Sequence, residues 1–215
     1  MHAAATRHRR AGWWVAVAVL AAMPSSTSAQ RNVAAPPGPY VIDVRGALMG
    51  LPQDTGFYPQ LPDDALVPAR GFGLEAGAHL YFGRFGPGQL GIGASVSQVR
   101  GTAPAGTELT MRMIAPQVSI NFGTRDGWSF LSGGVGVANA RGEFSGNDVV
   151  EAGSRSSDTM LAINGGGGAR WFMTSHLAVG FDMRLHWIAG QSAKVALAGT
   201  PSDFLFMASA GLSIR

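Results

Sequence analysis

Residues 175–189, SHLAVGFDMRLHWIA, have the clearest periodicity in the chain and constrain its fold more than any other segment. Every odd position from Leu177 to Trp187 is large and apolar, while the even positions are small, polar or charged. A period of two is typical of a β-strand, because successive side chains point to opposite faces. The alternation lasts about a dozen residues, which exceeds the usual strand and resembles the ~9–11 tilted residues that cross a bilayer. The segment therefore predicts a transmembrane strand with one face toward hydrocarbon.

The first 29 residues have the features of an export signal. Three arginines (Arg7, Arg9 and Arg10) precede an apolar run at residues 11–23, and Thr27-Ser28-Ala29 offers a cleavage site between small residues. These features predict a secretory signal peptide at residues 1–29 that is cleaved after Ala29. Two alternatives stay open: an uncleaved anchor helix, for which the apolar run is short, and a twin-arginine export signal.

Charge and cysteine content narrow the function of the remaining chain. The export signal holds three of the 16 lysines and arginines and none of the 13 acids, so the remainder has 13 of each and no formal net charge. Nucleic-acid binding through a basic patch therefore loses its main support, and we expect no nucleic-acid partner. Cysteine is absent, which removes a disulfide framework, thiolate chemistry and a lipid-modified cysteine.

The same alternation divides residues 40–215, including the segment described above, into eight strands. They follow a proline-rich periplasmic lead-in at residues 30–39. The predicted strands are residues 40–51, 70–82, 89–99, 109–122, 128–140, 159–173, 176–189 and 203–215. Their connections alternate between long and short, which is typical of an even-numbered antiparallel barrel with long extracellular loops and short periplasmic turns. We expect a bulge at Pro116, since proline removes a ladder hydrogen bond. The predicted fold is all-β, an eight-stranded antiparallel up-and-down transmembrane β-barrel over residues 40–215.

Aromatic residues near the strand ends agree with this fold, because Trp and Tyr concentrate at the two membrane interfaces. The predicted girdle consists of Tyr40, Phe82, Phe122, Trp128 and Trp171 at the periplasmic side and Phe72, Trp187 and Phe204 at the outer side.

Eight ionisable residues have inward parity in this pattern, namely three acids, three arginines and two histidines. They are Asp43, Arg45, Glu75, His79, Arg170, Asp182, Arg184 and His186. The interior of an eight-stranded barrel is just wide enough for side chains, so these charges should meet across the lumen. An unpaired charge there would cost several kcal/mol, so the pattern predicts a structural salt-bridge network that plugs the barrel. The functional alternative is a charged gate or a narrow ion path.

The arrangement resembles the OmpA/OmpX-like superfamily of eight-stranded outer-membrane barrels over essentially the whole exported chain. The resemblance implies a similar buried network and the outer membrane of a Gram-negative-type bacterium. It also implies outer-membrane lipid and lipopolysaccharide, the barrel-assembly machinery and periplasmic chaperones as partners. We expect a monomer. Family members usually end on an outward aromatic, whereas Arg215 has inward parity, so we expect an effect on assembly efficiency.

Some outer-membrane barrels that resemble this one hydrolyse or transfer lipid acyl groups, which makes catalysis a further class. Such chemistry needs a nucleophilic serine within reach of a histidine base. His186 beside Asp182, and His79 beside Glu75, have no serine at a neighbouring inward position of their strand. We expect no enzyme and no catalytic residue. The glycine run at residues 165–168 lacks the ending of a phosphate-binding loop, and the acids lack metal-ligand spacing, so we expect no cofactor and no metal.

The predicted role is therefore structural, or one of interaction at the cell surface through the long loops at residues 51–69 and 142–158. One alternative is a narrow channel or carrier for small solutes, including apolar ones, as in barrels of the OmpW type. Another is a soluble lipocalin-like barrel, which would place the apolar face inside. A charged lumen favours the structural role, and an apolar lumen open at one end favours the carrier.

Overall fold

The structure is a computed structural model that describes residues 38–53, 66–104, 106–124, 126–144, 154–156, 159–190 and 202–215. These residues form nine strands: β1 (Tyr40–Gly50), β2 (Arg70–Phe85), β3 (Gly88–Thr102), β4 (Thr107–Thr124), β5 (Gly127–Phe144), β6 (Ser154–Ser156), β7 (Met160–Phe172), β8 (Leu177–Ile188) and β9 (Asp203–Ile214). None of the described residues belongs to a helix that could span a membrane. The predicted signal peptide and most of the lead-in lie outside the described residues.

Eight of the strands close into a ring. They follow the order β4-β3-β2-β1-β9-β8-β7-β5, and β5 pairs again with β4, always antiparallel. Paired residues followed from Ile114 once round the sheet lead back to β4 at Thr124, ten residues further along. Such a stagger means that the strands are strongly tilted from the barrel axis. The predicted eight-stranded antiparallel barrel is confirmed.

The strand boundaries differ from the prediction mainly at the outer end of the barrel, where the long connections lie. Strand β4 begins at Thr107 and β5 continues to Phe144, and the three residues of β6 pair with Arg141–Glu143 of β5. The ladder therefore continues beyond the predicted ends. Alternation does not reveal these extensions, because an outward side chain above the hydrocarbon has no need to be apolar.

The bulge predicted at Pro116 is wrong. Ile114 pairs with Val137 and Gln117 pairs with Gly134, so β4 and β5 keep one register on both sides of the proline. Pro116 pairs with Ala94 on its other side. A Cβ added to Gly134 would lie 2.2 Å from the Pro116 carbonyl oxygen, so the two strands approach each other closely at the proline. The ladder instead shifts its register between Tyr81 and Gly83 of β2.

The outward face of the barrel is a belt of exposed apolar side chains. On β2 it runs from Phe72 through Leu74 and Leu80 to Phe82, each more than 60% exposed. Phe72 and Phe82 are ten positions apart, which in a tilted strand spans about 25 Å, the height of the apolar band of an outer-membrane barrel. The polarity is opposite to that of a lipocalin-like barrel, so the alternative of a soluble, inverted barrel is wrong.

The interior is arranged in three layers, whose order can be followed along the inward positions of β1. Val41 belongs to an aromatic layer at the inner end, where the short turns lie, together with Tyr81, Trp128 and Phe172. Asp43 and Arg45 belong to a charged layer in the middle. Ala47 and Met49 belong to a methionine layer toward the outer end, which also contains Met111, Met113, Met160, Met207, Leu51, Val99, Leu109, Ile188 and Leu205.

The four consecutive glycines of β7 provide a test of how closely the strands pack. A Cβ on Gly168 would lie 1.9 Å from the Phe181 carbonyl oxygen, whereas one on Gly165 would meet nothing within 4 Å. We expect Gly168→Ala to lower the free energy of unfolding by about 1–3 kcal/mol, since overpacking displaces backbone. The matched control Gly165→Ala should leave it nearly unchanged. Urea unfolding in detergent, followed on gels of unboiled samples, measures both, and an equal loss in the two variants would contradict this packing.

Candidate functional site in the barrel lumen

The structure brings together the eight inward residues named from the sequence. They come from β1, β2, β7 and β8, and each is no more than 5% exposed. Their inward position follows from strand parity, because each lies an even number of residues from the other buried residues of its strand. The three acids and three arginines among them form the charged layer in the middle of the lumen, and the two histidines lie at its border.

Asp43 is the most highly connected acid of the charged layer. Arg170 donates to both of its oxygens, with Nε 2.8 Å from Oδ1 and Nη2 2.6 Å from Oδ2. Arg45 lies 2.8 Å from Oδ1, and the Ser213 hydroxyl donates to the same oxygen at 2.5 Å. Two strands separate β1 from β7 in the sheet. The forked pair of Asp43 and Arg170 therefore spans the lumen, with the geometry that makes arginine–carboxylate bonds strong.

Arg45 joins the three carboxylates into one network. Besides Asp43, its Nη1 lies 3.6 Å from Glu75 Oε2 and 3.8 Å from Asp182 Oδ2. Arg184 pairs with Asp182 at 2.8 Å, and the Ser209 hydroxyl donates to Glu75 at 2.5 Å. Three acids thus meet three arginines, and the layer carries no net charge when all six are ionised.

Amide and hydroxyl groups extend the network to the opposite wall. Arg184 donates to Asn164 Oδ1 and to Ser132 Oγ, both at 2.7 Å. Gln117 donates to the same Asn164 oxygen at 3.1 Å, and its own Oε1 lies 3.2 Å from His79 Nε2. Among the described residues neither His79 nor His186 forms an ion pair. The histidines therefore border the charged layer, while its cohesion comes from the acids and arginines.

Some of the residues that complete the network are absent from the sequence-based set. Phe130 lies between two guanidinium groups, with its ring centroid 3.9 Å from Arg170 Cζ and 5.6 Å from Arg45 Cζ. Cation–π contacts of this kind stabilise a desolvated arginine. Ser209 and Ser213 have the inward parity of the last strand, so alternation could have identified them. Phe130 was harder to identify, because glycines obscure the alternation of β5.

The assignment of Trp128 to the aromatic girdle is wrong. Its side chain is 1% exposed and points into the lumen, 4.6 Å from the Phe172 ring and 6.4 Å from the Tyr81 ring between centroids. Trp128 shares the parity of the buried Phe130, which the glycine-rich sequence of β5 conceals. The other predicted girdle residues lie on the outward face: Tyr40, Phe72, Phe82, Trp171 and Phe204 are exposed, and Phe122 and Trp187 are partly exposed.

Arg215 covers the aromatic layer at the inner end of the lumen. Its guanidinium carbon lies 3.9 Å from the Phe172 ring centroid and 5.2 Å from that of Trp128. Its Nε donates to the Ser175 carbonyl at 2.8 Å, and its backbone amide donates to His176 at 3.0 Å. The inward parity read from the sequence thus places this cation across the end of the barrel.

Comparison with known proteins now identifies the family. Residues 15–209 match the family model described as the outer membrane protein beta-barrel domain. The chain belongs to the outer-membrane β-barrel family. It is thus an outer-membrane protein of the Gram-negative type, while cleavage of its signal peptide stays a prediction. No curated protein matches the sequence.

Three solved structures are similar to this chain at low sequence identity. Neisserial surface protein A is similar with a TM-score of 0.57 and 14% identity, over 83% of this chain and 97% of that one. The outer membrane enzyme PagL is similar with a TM-score of 0.46 and 14% identity, over 82% and 99%. Ail, the attachment invasion locus protein of Yersinia pestis, has a TM-score of 0.44 and 13% identity, over 81% and 95%. At 14% identity the likeness to Neisserial surface protein A shows the fold alone.

The chemistry available to this member of the outer-membrane β-barrel family follows from its contacts. The buried hydroxyls of Ser209 and Ser213 donate to carboxylates, and that of Ser132 accepts from Arg184. Within the described ranges no serine is hydrogen-bonded to a lumen histidine, and no group of three or more His, Asp or Glu could hold a metal ion. The acids and arginines of the site bind one another across the lumen.

Removal of Asp43 tests the energetic role of the charged layer. Asp43→Ala would leave two buried arginines without their shared carboxylate, so we expect a loss of about 3–5 kcal/mol in the free energy of unfolding. Arg141→Ala, which breaks a half-exposed ion pair with Glu143, should cost less than about 1 kcal/mol. Urea titration in detergent compares the two variants. Similar midpoints would mean that the charged layer contributes no more than a surface pair.

Proposed function

We propose that this outer-membrane barrel is a closed scaffold, which presents its extracellular loops at the cell surface and does not conduct solutes through its lumen. The observation that carries the proposal is the balanced network of three acids and three arginines, which crosses the lumen from β1 to β7 and leaves each of these side chains buried. An ion that entered this layer would have to displace buried charge pairs that are already formed, which is costly in a desolvated site.

The layers above and below the network support the same conclusion. On the inner side, Trp128, Phe172 and Arg215 lie across the lumen. On the outer side, the methionine layer is packed from buried side chains. The charged gate that the sequence left open would need a path for an ion along the whole lumen, whereas here the charged layer lies between the aromatic layer and the methionine layer. We further propose a monomer surrounded by outer-membrane lipid and lipopolysaccharide, inserted by the barrel-assembly machinery with periplasmic chaperones.

A non-catalytic role is part of this proposal. Carboxylates accept from the hydroxyls of Ser209 and Ser213, and Arg184 donates to that of Ser132, so these three serines are already engaged. Within the described ranges no serine is hydrogen-bonded to a lumen histidine that could deprotonate it for attack. Lipid substrates would also have to reach a lumen that the charged layer crosses. These contacts support a binding or structural protein in preference to a lipid-modifying enzyme.

Current across a planar bilayer tests the closed lumen. We expect the folded protein to add no steady current to that of a protein-free bilayer, because three packed layers lie in series along the lumen. The double variant Asp43→Ser/Arg170→Ser removes one acid and one base, keeps the lumen neutral and empties part of the charged layer, so its current is the relevant comparison. Discrete, lasting current steps from wild-type protein that shows a heat-dependent gel shift would refute the proposal.

The methionine layer favours one second candidate, a carrier for apolar solutes. Its apolar lining faces the outer end, and methionine side chains adapt readily to ligands of different shape. Uptake of a radiolabelled alkane by cells that express the protein, compared with cells that carry an empty vector, separates the two functions. We expect equal uptake from the closed scaffold. Faster uptake would favour the carrier.

A further inference from the structure

One part of the outward surface departs from the apolar belt. At the outer end of β3, β4 and β5, eight polar or charged outward residues line a cleft of about 200 Å³. These residues, which we call the arginine cleft, are Gln98, Arg100, Glu108, Thr110, Arg112, Asn139, Arg141 and Glu143. Their positions continue the outward alternation of the three strands, so the cleft faces the surroundings of the barrel and not its lumen.

The sheet register places the arginine cleft at the outer membrane interface. In the β2–β3 ladder, Arg100 lies opposite Phe72, a residue of the outer aromatic girdle. Directly below the cleft, Val96 of β3 pairs with Ile114 of β4, and Ile114 pairs with Val137 of β5; all three side chains are apolar and exposed. The cleft therefore begins one outward position above the last apolar row, where the headgroups of the outer leaflet meet the hydrocarbon.

The cleft has an excess of positive charge and weak internal pairing. It contains three arginines and two glutamates. Arg100 pairs with Glu108, and Arg141 Nε lies 3.1 Å from Glu143 Oε1. Both arginines are more than half exposed, and exposed pairs of this kind contribute only about 0–1 kcal/mol. They can therefore exchange a glutamate for another anion at little cost.

Arg112 lies at the centre of the cleft and has different neighbours. In the two β-ladders it lies opposite Gln98 on β3 and opposite Asn139 on β5. Among the described residues no carboxylate lies within ion-pair distance of Arg112. A guanidinium between two amides offers a planar set of donors, which matches the geometry of a phosphate group.

We propose that the arginine cleft binds a phosphate group of lipopolysaccharide, the phosphorylated glycolipid of the outer leaflet. The cleft lies on the lipid-facing side of the barrel, so its ligand approaches along the membrane, and the phosphates of this lipid lie at the depth of the cleft. Arg112 supplies the central contact, and Arg100 and Arg141 supply further donors. The inference rests on the orientation of the proposed scaffold in the outer membrane, but it does not depend on whether the lumen conducts.

Binding of purified lipopolysaccharide to the full-length protein in phosphatidylcholine nanodiscs tests the proposal. EDTA is present, so that divalent cations do not bridge the glutamates to the phosphates. We expect about tenfold weaker binding for Arg112→Gln, since a hydrogen bond to a charged group is lost. The triple variant Arg100→Gln/Arg112→Gln/Arg141→Gln should bind about 100-fold more weakly, because Arg100 and Arg141 give up their glutamates to bind phosphate and each therefore contributes only about threefold. Arg84→Gln, an exposed arginine at the inner end, should bind like wild type.

The other arms of the experiment identify the ligand. Lipopolysaccharide treated with phosphatase should bind wild type as weakly as intact lipopolysaccharide binds the triple variant. Equal binding of the treated and intact forms, or an equal loss in Arg84→Gln, would overturn the proposal. Phosphatidylglycerol that competes as well as lipopolysaccharide would overturn it in favour of anionic lipid in general. The heat-dependent gel shift, measured for every variant, separates lost binding from lost folding. Bilayer current in the same preparations tests the closed lumen independently.

Discussion

The pairing of β4 with β5 is the interaction on which the rest of the structure depends. Hydrocarbon offers no partner to a backbone amide, so a sheet can cross a membrane only when its two edges bond to each other. Here β4 and β5 pair from Thr107 with Phe144 to Thr124 with Gly127. Ala115 and Pro116 interrupt this ladder, but the register is the same on both sides of them, so the barrel still closes. In a closed barrel, the number of strands and their stagger together set the width of the lumen.

That width determines what the interior can contain. A lumen lined with charges but wide enough for water would need no internal pairing, whereas this one confines Asp43, Arg45 and Arg170 within contact of one another. The apolar outward face and the charged inward face thus have the same cause. Hydrocarbon offers no partner to a polar group, so the charged side chains pair with one another in the lumen. Above the hydrocarbon the constraint is relaxed, and the outward face of β3 to β5 becomes polar.

Much of this organisation could be predicted from alternation alone, because one face of every strand meets hydrocarbon. The eight inward ionisable residues were found in this way, and so was the inward parity of Arg215. Alternation failed where its physical basis is missing. In β5, glycines carry no side chain that would mark a face, so Trp128 was placed outside and Phe130 was missed. Which charges pair across the lumen, such as Asp43 with Arg170, depends on strand stagger, and no local pattern of the sequence contains it.

Burial in the closed barrel protects the methionine layer from oxidation. Thioethers are readily oxidised to polar sulfoxides, which would not fit an apolar interior. In the closed barrel the thioethers of Met49, Met111 and Met160 are fully buried, so an oxidant in the surrounding medium cannot reach them. Before closure the same side chains are exposed to solvent. Oxidative damage to this layer is therefore governed by the time that the chain spends between export and insertion, and fast assembly protects its chemistry as well as its fold.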